Sequence, residues 1–137
     1  MGNINALRVD LQAQVHGTWF PYENGIRFKI ARWGNVKFLA AQRAAVEQRK
    51  VVLNAKELTD EQALDANKEA ASATILLDWE NLDDNGVPVA YSPEQALHYF
   101  RDPELIGLWT FVFLTSVNEA NFRKERLEAD LKNLPTS

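Results

Sequence analysis

The residues whose spacing comes nearest to a ligating pattern are Asn81-Leu82-Asp83-Asp84-Asn85-Gly86. They fit the first six positions of a calcium loop, D-x-[DN]-x-[DN]-G, with Asn in place of the first Asp. Such a loop gathers side-chain oxygens around a hard cation and closes with a bidentate Glu at its twelfth position. Here that position is Ser92, and Pro88 stands at the eighth. With two anionic ligands missing, the segment reads instead as a turn in which Asp and Asn bond nearby backbone and Gly86 supplies positive φ. The carboxylates of Asp83 and Asp84 could exchange protons with a substrate only inside a cleft with a partner group, and as they stand they read as solvated turn residues. His16 and His98 are 82 positions apart and have no companion at ligand spacing. Cysteine is absent, which excludes thiolate metal sites and disulfides. No G-x-S-x-G elbow, phosphate-binding P-loop or G-x-G-x-x-G turn occurs. The expectation is a protein without catalysis, with no cofactor and no metal.

The elements that must carry these residues follow from the hydropathy pattern. Val15 to Phe20 is rich in strand formers, Pro21-Tyr22-Glu23-Asn24-Gly25 is a turn signal, and Ile26 to Trp33 alternates, with Ile26, Phe28 and Ile30 opposite Arg27 and Lys29. This predicts a β-hairpin over residues 15–33, which must pack on something to be stable. Asn35 is placed to cap a helix from Val36 to about Ala55, where Phe38/Leu39, Ala45/Val46 and Val52/Leu53 recur every seven residues. Thr59-Asp60-Glu61-Gln62 forms a capping box, and the helix behind it is expected to reach Asp78 or Trp79. Its stripe of Ala63, Ala66, Ala70 and Ala73 would let a neighbouring helix come close.

After the turn at 83–86, Val87 to Tyr91 is extended, and Pro88 confines any strand there to a sheet edge. Ser92-Pro93-Glu94-Gln95 is a second capping box. Asp102-Pro103-Glu104 opens a last helix that is expected to run to Lys132, with Glu119/Arg123 and Glu128/Lys132 as pairs four apart on an exposed face. Leu105 to Leu114 is apolar all round and would also suit a buried strand, but its Asp-Pro start and helical continuation favour helix. Burial on every side in so small a domain can come from the chain's own core or from a partner. On the second reading Trp109, Phe111 and Phe113 are the candidate partner-binding residues, in a helix-in-groove manner.

The fold class expected is mainly α: a single domain over residues 1–137, made of about four helices across 35–132 with an N-terminal β-hairpin behind a segment 1–14, α+β by strict count. With 46% hydrophobic and 25% charged residues, the chain is neither disordered nor fibrous. Met1 to Gln12 has no long apolar run and does not read as a secretory signal. The longest uncharged stretch, residues 105–118, is 14 long, where a membrane span takes roughly 20. A net charge of −4 is the wrong sign for phosphate neutralisation, so neither nucleic acid nor membrane is an expected partner. The charge is also uneven: residues 1–50 carry eight basic and three acidic side chains, and residues 51–137 seven basic and sixteen acidic. Solvated helix faces would account for this. So would a positive surface on one copy meeting a negative surface on the next, a head-to-tail homo-oligomer that weakens as salt rises.

Two stretches together carry a resemblance. Gly17-Thr18-Trp19, Ile26 through Arg32 and Asn35-Val36-Lys37-Phe38 come first. Leu76-Leu77-Asp78-Trp79-Glu80-Asn81-Leu82 and Asp84 through Ala96 follow, then a helix to Phe122 and a charged tail with Lys132. In order, spacing and total length, residues 17–132 resemble the tail assembly chaperones of long-tailed, lambda-like bacteriophages. The resemblance implies a protein that coats the aggregation-prone tape-measure protein in the host cytoplasm until tube subunits polymerise around it. Such a protein is lost from the mature virion. It also implies a longer form made by programmed ribosomal frameshift, whose extension contacts the tail tube protein, so that this chain would be the short form. Three other readings compete: a tail completion or head–tail connector protein, a small enzyme of unrecognised type, and a nucleic-acid-binding regulator, which the net charge disfavours.

Overall fold

The polypeptide enters its first regular element through a cap. Asp10 Oδ1 accepts the backbone N–H groups of Gln12 and Ala13 at 2.9 and 3.1 Å, starting helix α1 (Leu11–His16). Val15 and His16 therefore belong to a helix and not to the hairpin, because the Asp10 cap commits the preceding turn. Gly17 ends it at φ +77; a Cβ there would lie 3.1 Å from Leu77 Cδ1 and 3.2 Å from the Ile30 carbonyl, so both the dihedral and the close approach require glycine. The structure, a computed structural model, describes residues 1–127.

Strands β1 (Thr18–Pro21) and β2 (Arg27–Ile30) form the expected antiparallel hairpin, with Thr18 opposite Ile30 and Phe20 opposite Phe28. Its tip is a short 3₁₀ turn, Glu23–Gly25, with Asn24 and Gly25 at positive φ. The far edge of β2 is taken by β3 (Leu76–Glu80), giving a three-stranded antiparallel sheet in the order β1-β2-β3.

This third strand corrects the helix expected to reach Asp78 or Trp79. Helix α3 (Asp60–Thr74) stops four residues earlier, and the Ile75 carbonyl accepts the Ala31 N–H at 2.8 Å. The register passes from Lys29↔Asp78 to Ile30↔Leu76, which leaves Leu77 as a bulge. The bulge turns Leu76 and Trp79, three positions apart, to the same buried side. That is helical spacing, which is why the segment reads as the tail of a helix.

Helix α2 (Val36–Leu53) begins where expected, with Asn35 Oδ1 accepting the N–H groups of Lys37 and Phe38, and ends at Asn54 in the left-handed conformation. The capping box of α3 is complete: Gln62 N–H donates to Thr59 Oγ1 at 3.2 Å and Thr59 N–H donates to Gln62 Oε1 at 2.9 Å. Ala66, Ala70 and Ala71 are buried under α2 and the helix α4 (Pro93–Arg101), the close approach that the alanine stripe implies; Ala73, at its end, is exposed.

The turn reading of residues 83–86 also holds. β4 (Asp83–Asp84) and β5 (Val87–Pro88) are joined by Asn85 and Gly86, both at positive φ, and Gly86 N–H donates to Asp83 Oδ1 at 2.9 Å. Residues 35–132 are thus not wholly helical, since they contain β3, β4 and β5. Helix α4 (Pro93–Arg101) starts at Ser92, whose Oγ accepts the Gln95 N–H at 3.0 Å.

A 3₁₀ turn at Pro103–Leu105, opened by Asp102, leads into α5 (Ile106–Val117). The single helix expected to continue to Lys132 instead breaks at Asn118, which caps a 3₁₀ turn, Glu119–Phe122. Asn121 Nδ2 donates to the Thr115 carbonyl at 3.0 Å, satisfying an acceptor that the broken helix frees. The Glu119–Arg123 pair forms at 3.8 Å, though across this turn. Glu128/Lys132 and the expected end at Lys132 lie outside the described residues. One core joins every layer, from Phe20, Phe28 and Ile30 on the sheet to Phe38, Phe100, Trp109, Val112 and Phe122. The architecture is mainly α with a small hairpin-based sheet, as expected, with α1 as an additional short helix. Among the described residues no helix is long and apolar enough to cross a membrane.

Candidate functional site

Helix α5 carries the three aromatics singled out from the sequence, and it divides them between two sides of the chain's own core. Trp109 is 8% exposed and meets the edge of Phe100 at 5.0 Å, with Lys68 Nζ 5.8 Å from its ring. Phe113 is half-buried against Trp33 at 5.0 Å. Phe111 is half-buried towards the hairpin, 4.6 Å from Tyr22 and 6.0 Å from Phe28. The three do not form one open patch.

The solvent side of the same helix is also apolar. Ile106 and Leu114 are each 57% exposed, and with Thr110 and Val117 they recur at helical spacing as one stripe. Sequence reasoning missed these residues because a helix apolar all round gives no periodicity by which to tell its inner face from its outer one.

Beside the start of α5, between the hairpin tip and the β4–β5 turn, lies a groove of about 470 Å³. Tyr22, Leu82, Tyr99 and Leu108 supply apolar walls, and Asp83, Asp84 and Glu104 line it with carboxylates and no basic residue. Of the calcium-like segment, Leu82, Asp83 and Asp84 line this apolar groove, and Asn81, Asn85 and Gly86 do not. Among the described residues no group of three or more His, Asp or Glu side chains is placed to hold a metal ion. His98 is exposed beside Tyr99, and His16 closes α1.

A second groove, of about 900 Å³, runs between the ends of α2 and α3. Its polar centre is Asp65, bonded by Arg101 at 2.9 Å through two nitrogens and by Arg49 at 2.8 Å; Arg49 also reaches Glu69 at 3.1 Å. The Arg101 hydrogen bonds, opposed by burial and aided by Arg49, hold the Asp65 carboxyl at about 2. A carboxylate so ionised and so saturated has little basicity to offer, and the geometry serves to tie α2, α3 and α4 together. Tyr91 is pushed up to about 12 by burial and by the neighbouring charges of Asp78 and Glu94. Its hydroxyl lies 2.6 Å from the Leu76 carbonyl and 3.0 Å from that of Ser72, at the end of α3 and the start of β3.

A family model described as YdaY prophage protein matches residues 33–133. The chain belongs to this family. It is therefore a phage-derived protein. The match begins at Trp33, so within the described residues it takes in α2 through α5 and the acidic rim of the groove, while Tyr22 and Phe28 of the hairpin precede it. No curated protein and no solved structure matches the chain.

Proposed function

We propose that this YdaY-family protein is a tail assembly chaperone: a non-catalytic protein, acting in several copies in the host cytoplasm, that binds the tape-measure protein and keeps it soluble until the tail tube forms. On this reading it is absent from the mature virion, and a longer frameshifted form contacts the tail tube protein. The prophage family supports a phage role, and the resemblance over residues 17–132 supports the finer one. The observation that carries it is the outward stripe of α5, Ile106, Thr110, Leu114 and Val117, an apolar helix face that the chain's own core leaves uncovered. A long helical partner is the natural complement of such a face. Trp109, Phe111 and Phe113 lie behind it and give it rigidity.

The test is co-expression with the tape-measure protein of the same prophage. A soluble complex holding many copies of this chain is expected, and Leu114→Asp lowers the yield of soluble tape measure without lowering that of the chaperone. An insoluble tape measure with this chain, and again with its frameshifted form, overturns the proposal. Recovery of the chain in purified particles would assign it instead to tail completion or to the head–tail connector.

A further inference from the structure

The groove at the start of α5 has walls that its own chain leaves unsatisfied. Tyr22 is wedged against Phe111 at 4.6 Å and Phe28 at 5.7 Å, and Tyr99 lies 5.9 Å from Trp79, so the core holds both rings in place. Unlike that of Tyr91, neither hydroxyl makes a hydrogen bond among the described residues. Asp84 and Glu104 are exposed on the rim and make no ion pair among the described residues, while Asp83 is held in its turn by the Gly86 N–H. Gly107 keeps the groove open beside Tyr22: a Cβ there would lie 4.0 Å from the hydroxyl oxygen, and its place in α5 is one that any side chain tolerates.

Fixed aromatic walls, unused acceptors on the rim and no cation in the lining suit a positive charge carried on an apolar stem. Lys and Arg are such groups, since the stem packs on aromatic and aliphatic surface while the head reaches the carboxylates. The space of about 470 Å³ takes a few side chains and not the face of a folded protein. We infer that the groove binds a segment of the tape-measure protein in which a Lys or Arg stands among large apolar residues. The inference rests on the function proposed above and deepens it by naming the chemistry of the segment that is held. The net charge of −4 draws a basic segment towards the chain, and the rim carboxylates then fix its register.

The experiment is fluorescence anisotropy of short overlapping labelled peptides that span the tape-measure protein of the same prophage, titrated with the full chain at low and high salt. Binding is expected from peptides with Lys or Arg inside an apolar run. Asp84→Asn/Glu104→Gln removes the charges, keeps the shapes and weakens binding about five- to tenfold, a difference that narrows at high salt. Replacing the peptide's basic residue by Gln costs the same factor and adds nothing to the effect of that variant. Gly107→Leu fills the groove and abolishes binding. Glu57→Gln/Glu61→Gln, exposed carboxylates at the start of α3 and just before it, removes the same charge and leaves binding unchanged. Melting curves confirm that each variant folds.

No binding by any peptide overturns the inference. So does binding that Gly107→Leu and Asp84→Asn/Glu104→Gln leave intact, or that Glu57→Gln/Glu61→Gln weakens equally. If the groove variants change sedimentation of the chain alone and not peptide binding, a second copy is the occupant and the inference is again overturned. Peptides that fail beside a soluble co-expressed complex sink the inference and leave the proposed function standing. Peptides that bind as expected while the tape measure stays insoluble with both forms support the groove assignment and sink that function.

Discussion

Asp65 shows how one side chain on α3 fixes the relation of three helices. Arg101 and Arg49 converge on its two oxygens from α4 and α2, so Asp65→Asn removes a charge from both bonds at once. Its carboxylate is partly open to solvent, which screens the attraction, and the expected loss is about 1 kcal/mol. Because the folded carboxyl is held at about 2, below its ordinary value of 3.8, its contribution is present above that ordinary value and fades as pH falls towards 2. Thermal melts of wild type and Asp65→Asn should therefore differ at pH 5 and converge near pH 2. Tyr91 gives the opposite sign. Its phenol is held neutral to about 12, so its contribution is full below 10 and is lost as pH rises from 10 to 12. Ultraviolet titration should find one tyrosine ionising late. Tyr91→Phe should abolish that step and, by losing the bond to the Leu76 and Ser72 carbonyls, cost about 1–2 kcal/mol in urea unfolding.

Elements differ in how far their sequence announces them. Four caps were legible: Asn35, Thr59 with Gln62, Ser92 through its hydroxyl alone, and Asp102 each bond the backbone their type and position imply, whereas the caps at Asp10 and Asn118 were not. The β4–β5 turn was legible for the same reason, since Asn85 and Gly86 tolerate the backbone it demands. β3 was not, because its bulge at Leu77 gives a strand the buried spacing of a helix, and its pairing partner lies more than 40 residues away. The break at Asn118 was hidden because the bond from Asn121 to Thr115 that satisfies it is tertiary detail. For the candidate site, composition pointed to α5 but not to the side of it that faces water. That division yields a paired prediction. Trp109→Ala should cost about 3–5 kcal/mol as a buried aromatic truncation, whereas Leu114→Asp should change stability by no more than about 0.5 kcal/mol. Chemical denaturation of both variants measures it, and equal losses would place the Leu114 face in the core.

At the scale of the whole molecule, the sheet, all three long helices α2, α3 and α5, and α4 contribute to one buried cluster. Trp79 and Trp109 lie within it and Trp33 packs on its edge. Tryptophan fluorescence and far-ultraviolet circular dichroism should accordingly report one coincident unfolding transition, and an earlier fluorescence change would mark the hairpin as a separate unit. The same connectivity sets when the fold can be completed. Asp10 N–H donates to the Phe122 carbonyl at 2.8 Å, Lys124 N–H donates to the Arg8 carbonyl at 3.0 Å, and the Phe122 ring lies 6.1 Å from that of Phe20. The hairpin is synthesised early, yet its inner edge waits for residues 76–80 and its underside for residue 122. During translation the nascent chain therefore presents Phe20, Phe28 and Ile30 unburied, and vectorial folding from the N-terminus has no stable stopping point. Closure has to follow synthesis of most of the chain, so the apolar side of the hairpin stays open for the greater part of translation and the protein is most exposed to misassembly before it leaves the ribosome.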